Sequence, residues 1–382
     1  MRRFRSLKNL QQDPTQALCD GLAQPKSLLA LSGKAWTGVL AVGRENLLLG
    51  ALWQRAVEAG VSERLPQWAA RHLWGAALTA ETNAAALRWE LEHLDRGVIR
   101  QLSPPLVLKG GAYVLDGLPN AAGRIAADID LLFRRDEVER AETVLYYEGW
   151  FGTHHTPYDQ RYYREWMHEL PPLQHVKRGT TLDLHHNILP ATFAVVVDPE
   201  RLLEAAQPVE GMNCLHLPAP RHLVLHAIVH LFSETDWDRG LRDLYDIHTL
   251  IEHYQTQYGP AFFDELLEEA EALGVGWLME PAIWCCQNRF RTQVPDGVRG
   301  RLRDHAARLP ARWLGHRMFH HALNGRISAT PRTDALARSF VFLRGHWLKM
   351  PPLLLARHLF YKAFLAPRED DEGPAQNAQQ RQ

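Results

Sequence analysis

The chain has 382 residues, 46% of them hydrophobic and 23% charged, with a formal net charge of −1. It is long enough to bury one large core or two or three smaller ones, and too apolar to stay unfolded. Near-neutral charge excludes the global basic field that draws proteins non-specifically to nucleic acid, and no run approaches the roughly 20 uncharged apolar residues of a membrane span.

The basic start, Met1-Arg2-Arg3-Phe4-Arg5, lacks the apolar run of a signal peptide. Cys19, Cys214, Cys285 and Cys286 fit neither a metal spacing nor a disulfide framework; buried free thiols in a reducing cytoplasm are the expectation. From about Leu18 to Arg100 apolar residues recur every three or four positions, which predicts helices. At Ser103-Pro104-Pro105 the period changes. Leu106-Val107-Leu108 reads as a buried strand running into Gly110-Gly111, and Ala112 to Gly117 as a short helix. Asp128 to Phe133 alternates and predicts a strand. Asp136 to Glu148 predicts an amphipathic helix capped by Asp136 and stopped at Gly149. Short strands are expected at 150–153, 173–177 and 181–185. Helices return over 221–232, 241–253 and 262–273, less regular pieces run to about Leu365, and a polar, disordered tail follows. The expected fold is α+β: a helical N-terminal region (1–102), a core with a small mixed β-sheet (103–215), a helical C-terminal domain (216–365) and the tail (366–382).

Residues two apart on a strand share a face, so Asp128 and Asp130 point together while Ile129 turns away. Two carboxylates a few ångströms apart repel one another unless a cation sits between them. A hard divalent ion with oxygen ligands fits beside substrate phosphates, Mg²⁺ first and Mn²⁺ as the alternative. Taken alone, an Asp-x-Asp is as readily a pair of solvated charges at a strand end. Its neighbours shift that balance. Upstream, Lys109-Gly110-Gly111 joins a strand to a helix: glycines let the backbone approach a ligand, a helix start favours phosphate, and Lys109 adds positive charge. Downstream, Asp183 alternates with Leu182 and Leu184, and His185 shares its face. Three strand-borne acids and a glycine turn meet the needs of two-metal phosphoryl transfer, the third acid receiving the proton of the attacking hydroxyl.

The order Lys109-Gly110-Gly111, a short helix, Arg124 four residues before Asp128-Ile129-Asp130-Leu131-Leu132, then Asp183-Leu184-His185 resembles the nucleotidyltransferase superfamily with the DNA polymerase β-like fold. Within it, the chain looks most like the bacterial family of uncharacterised nucleotidyltransferases, over about 103–255. The resemblance implies a nucleotidyltransferase core, with Asp128, Asp130 and Asp183 as metal ligands and catalytic acids. It also implies that Gly110 and Gly111 cradle the β- and γ-phosphates, that Arg124 contacts phosphate or substrate, and that Asp243 lies in the substrate cleft. Many superfamily members have Gly-Ser where this chain has Gly110-Gly111, so backbone N–H groups must serve in place of a serine hydroxyl. The implied reaction moves a nucleoside monophosphate from an NTP such as ATP to an acceptor hydroxyl, a small molecule or sugar before RNA or protein.

Two other readings are carried forward: a glycosyltransferase holding a nucleotide sugar through an Asp-x-Asp and Mn²⁺, and a non-catalytic module binding nucleotide or a partner protein. His226 and His230 share a helix face but lack the glutamate of a zinc-protease motif, so they are expected to pack on the core or line the cleft. Asp243 and Asp246 read, without the resemblance, as helix-surface charges. His154-His155, His186 and His320-His321 read as surface or supporting residues. Nine Lys and Arg face one acid, Asp334, between Ala311 and Leu365. That pattern suits a helix with an apolar core side and an arginine-rich solvent side. The alternatives are contact with an anionic membrane surface, an acidic partner or RNA.

Overall fold

The alternation from Asp128 to Leu132 folds as a strand, and it is the central one of seven among the described residues. The computed structural model describes residues 13–153, 156–306, 312–326, 328, 330–351 and 353–357. Its strands are β1 (Leu106–Val107), β2 (Asp128–Leu132), β3 (Trp150–Gly152), β4 (Leu173–His175), β5 (Thr181–His185), β6 (Gln207–Pro208) and β7 (His216–Leu217). They form one mixed sheet in the order β3-β4-β5-β2-β1-β7-β6. β2 runs parallel to β5 and antiparallel to β1. The register sets Ile129 beside Leu182 and Leu131 beside Leu184, four fully buried side chains on one face. On the other face it sets Asp128 beside Thr181 and Asp130 beside Asp183.

Helices surround this sheet. Before it come Pro14–Ala23, Gly33–Glu45, Leu49–Glu58 and the long Gln67–Arg96; after it come Pro220–Ser233, Gly240–Tyr258, Ala261–Ala272 and Met279–Phe290 among others. Leu87, Leu91 and Leu94, at the three- and four-residue spacing of one helix face, are buried near the end of the long helix. Beside them, the buried Asp95 carboxylate accepts the backbone N–H groups of Asn213, Cys214 and Leu215, which ties the turn before β7 to that helix. Pro220 opens its helix at the first turn, where a missing N–H does no harm. One hydrophobic core runs without interruption from Ala17 through the sheet to Val341.

The structure differs from the sequence expectation in several places. The short helix expected from Ala112 spans Lys109–Leu115, with both glycines inside its first turn. The helix expected from Asp136 begins at Val138, and Glu137 at its cap makes no side-chain cap bond; Gly149, at φ 92°, follows its end as expected. β6 and β7 were not foreseen, because two-residue strands show no alternation. Nor was the helix Pro157–Arg161 with the π-turn Tyr162–Trp166 that follows it.

The basic stretch is turned partly inward. Arg344 donates to the Phe232 carbonyl, Lys349 pairs with Glu234 at 2.8 Å, and Arg338 donates to the Asn324 carbonyl. Asp334 is buried between His321 and Asn324, while Leu336, Leu343 and Trp347 stand exposed. The expected division into apolar core side and cationic solvent side is thus partly reversed in the Pro331–Lys349 helix. The tail, His154-His155 and the end of the basic stretch lie outside the described residues. Among the described residues no helix is long and apolar enough to cross a membrane.

Candidate active site

Parallel pairing of β2 and β5 brings Asp130 level with Asp183, and the same parity puts His185 on their face. One donor atom from each of Asp130, Asp183 and His185 lies within 4.8 Å of the others. Asp130 is 1% exposed, and its Oδ1 accepts both Lys109 Nζ at 2.7 Å and His185 Nε2 at 2.9 Å. Asp128 stands outside that close grouping and lines the neighbouring cleft. Lys109 reaches Asp130 from the junction between β1 and the following helix, a residue held at φ 45°. Side chains other than glycine rarely adopt that conformation, and residues in it gather at functional sites.

Charges at the cluster are uneven. Burial opposes ionisation of Asp130, yet Lys109 and the His185 hydrogen bond hold its carboxyl well below the usual range. At Asp183 the pull of His185 is outweighed: burial, with Asp130 and Glu169 nearby, pushes it up to about 7. Asp128 is raised by burial and by Asp130. Burial disfavours protonated His185, but the Asp130 hydrogen bond and the Glu169 charge outweigh it and raise its pKa. Oδ1 of Asp183 is buried without a hydrogen-bond partner. A divalent cation with oxygen ligands would satisfy that atom and relieve the repulsion among the acids, so the residues present fit such an ion.

A cleft of about 120 Å³ adjoins the cluster, between the Lys109–Leu115 segment and the C-terminal helices. Of the residues singled out from sequence, Lys109, Gly110, Arg124, Asp128, His230, Asp243 and Asp246 line it. Arg124 is largely committed within the wall: its Nε bonds Asp246 at 2.9 Å and its guanidinium lies over the Tyr113 ring. Gly110 is required by that wall, since a Cβ there would meet Arg124 Nη1 at 2.6 Å and Ala126 Cβ at 2.8 Å. Gly111 does not line the cleft. A Cβ on it would strike Val107 at 2.7 Å, so its smallness serves the packing of helix on strand. Asp243 pairs with Arg242 at 2.7 Å. Asp246 corrects the surface-charge reading: it is buried, and bonds Asn120 as well as Arg124.

Sequence reasoning missed Tyr113, Arg239 and Arg242 on the cleft wall. It also missed His168 and Glu169, which pack against His185. The signal for the arginines was present in Arg239-Gly240-Leu241-Arg242-Asp243, since spacings of three and four share a helix face. Nothing local marked His168-Glu169, because a single bridge to His185, not a strand, places it. His226 is buried beside Lys109's end of the site, and burial with the Lys109 charge keeps it neutral.

A family model described as an uncharacterised nucleotidyltransferase matches residues 32–291. The match extends past both ends of the motif-bearing segment, taking in the N-terminal helices from Gly33 and the C-terminal helices through Phe290. No curated protein and no solved structure matches the chain.

Proposed function

Because the chain belongs to the uncharacterised nucleotidyltransferase family, we propose that it moves a nucleoside monophosphate from an NTP, ATP first among them, to a hydroxyl of a small molecule or sugar. The observation that carries this reading is the lateral pairing of Asp130 with Asp183 beside a cleft walled by Lys109, Arg239 and Arg242. In the reaction the acceptor oxygen bonds the α-phosphorus, the bond from that phosphorus to the bridging oxygen breaks, and pyrophosphate departs. Asp128, Asp130 and Asp183 would hold the divalent cation, Mg²⁺ before Mn²⁺. When bound, it neutralises phosphate charge and acidifies the attacking hydroxyl.

The chain's own groups do the rest. Lys109 exchanges Asp130 for phosphate oxygen, and Arg239 and Arg242 meet the remaining triphosphate charge from the opposite wall. Asp183 receives the hydroxyl proton. Arg124 shapes the wall through Asp246.

The test is pyrophosphate release from the four NTPs, each offered with a panel of sugar and small-molecule acceptors, beside a parallel assay with labelled nucleotide sugars. Asp130→Asn should abolish release while its circular dichroism stays that of the parent. Release that survives in that variant, or turnover of nucleotide sugars alone, would sink the reading.

A further inference from the structure

Next to the acid pair, His168, Glu169 and His185 converge, and one donor atom of each lies within 4.8 Å of the others. The backbone fixes all three. Glu169 forms an antiparallel bridge to His185, the Leu170 N–H donates to the Leu184 carbonyl at 2.8 Å, and the His186 N–H donates to the His168 carbonyl at 2.9 Å. The two imidazoles stand 5.4 Å apart, tilted by 42°. Nδ1 of His168 and Nδ1 of His185 are both buried without a hydrogen-bond partner. Glu169 Oε2 lies 3.6 Å from His185 Nε2, too far for a hydrogen bond. Buried polar atoms without partners are few in folded proteins, and each asks for an explanation.

We propose that His168, Glu169 and His185 form a binding site for a borderline divalent transition ion such as Zn²⁺, distinct from the carboxylates that suit a hard cation. Two imidazole nitrogens and one carboxylate oxygen, completed by water, are a donor set such ions take. Mg²⁺ instead takes oxygen ligands in near-octahedral geometry. A tetrahedral ion with bonds of about 2.1 Å holds its donors about 3.4 Å apart. Donors now within 4.8 Å therefore need to close by at most about 1.4 Å. With the ion on His185 Nδ1, the nitrogen without a partner, the hydrogen bond from Nε2 to Asp130 gives this site the support that a carboxylate lends a metal-binding imidazole. His185 also belongs to the neighbouring group of Asp130 and Asp183, whereas His168 and Glu169 belong to this one alone. The inference concerns binding and stands whether or not the chain transfers nucleotides.

The experiment uses the untagged full chain, stripped of metal, titrated with Zn²⁺ by calorimetry and with Co²⁺ by its visible absorption. One tight equivalent is expected, with the Co²⁺ spectrum of four-coordinate nitrogen and oxygen ligation. His168→Ala and Glu169→Gln should each weaken it by more than the roughly 10- to 100-fold lost when a supporting group behind a ligand is removed. Asp128→Asn should retain it. Glu169→Gln nearly preserves side-chain shape, so it decides the matter if His168→Ala fails to fold. The proposal is overturned if the parent binds no tight equivalent, if the equivalent survives in folded Glu169→Gln, or if Asp183→Asn removes it while Glu169→Gln does not.

Discussion

Lys109 combines a strained backbone with an ammonium group bonded to the most buried acid of the site. Burial would lower its pKa, but Asp130 and Asp128 raise it overall, so the group stays charged. That charge occupies the oxygen a cation would share. Lys109 therefore competes with the metal until phosphate draws it away. Lys109→Met should raise Mn²⁺ affinity in the absence of nucleotide by roughly tenfold, equivalent to about 1.4 kcal/mol, as read by the free-ion electron paramagnetic resonance signal. Pyrophosphate release should fall at least about 100-fold in the same variant. Equal Mn²⁺ affinity in parent and variant would show that the ion pair does not compete. At this scale much was legible. Parity within each strand could set Asp128 with Asp130, and Asp183 with His185. That the two pairs share one face of the sheet, and stand level, could not be read, since register between β2 and β5 depends on how two distant segments align.

At the scale of elements, the cleft wall rests on a contact between two glycines. Gly50, in the Leu49–Glu58 helix, and Gly123, at φ 76° in the loop before Arg124, touch backbone to backbone. A Cβ on Gly50 would meet the Gly123 carbonyl oxygen at 2.4 Å. Two effects oppose one another in Gly50→Ala. Helix propensity favours alanine by up to about 1 kcal/mol, less in a first turn, while overpacking against backbone costs about 1–3 kcal/mol. Overpacking wins, because a backbone atom cannot rotate away as a side chain can. Gly50→Ala should lower stability to urea by about 1–2 kcal/mol and reduce NTP binding through displacement of Arg124; unchanged stability would show that the loop gives way freely. Elements with sustained periodicity, such as β2, β5 and the helices from Pro220 to Ala272, were legible. Those created by pairing alone, β6, β7 and the Glu169 bridge, were not.

Across the whole molecule, one continuous core joins the helices before the sheet to those after it. Glu269 clamps part of that assembly. It accepts two hydrogen bonds from Arg201, at 2.9 and 3.1 Å, and joins the Ala261–Ala272 helix to the Glu200–Glu204 turn of helix. Burial disfavours its charge, but the Arg201 hydrogen bonds together with His222, 3.2 Å away, outweigh that and lower its pKa to about 2. A carboxyl depressed on folding stabilises above its unfolded pKa, and that contribution fades as pH falls through the folded value. Relative to Glu269→Gln, the parent should be more stable at pH 6 by about 1 kcal/mol, after allowing for solvent screening around half-exposed Arg201. That margin should shrink progressively between about pH 4.5 and pH 2, as followed by thermal melts of both proteins. A margin independent of pH would assign the clamp to packing.

The α+β class, the acidic pair on β2, the third acid on β5 and the family to which the chain belongs were all readable along the chain. Each of these rests on local order along the chain: alternation, helical spacing, and a motif read in one direction. Tertiary structure alone decided that Asp183 stands beside Asp130, that Asp246 is buried under Arg124, that Gly111 packs on Val107 instead of facing the cleft, and that His168 and Glu169 join His185. Three of the four depend on the distance between segments far apart in sequence, which strand register and core packing set and local periodicity does not encode. The Gly111–Val107 contact is local, but it depends on how the helix folds back onto the end of its strand, which periodicity does not encode either.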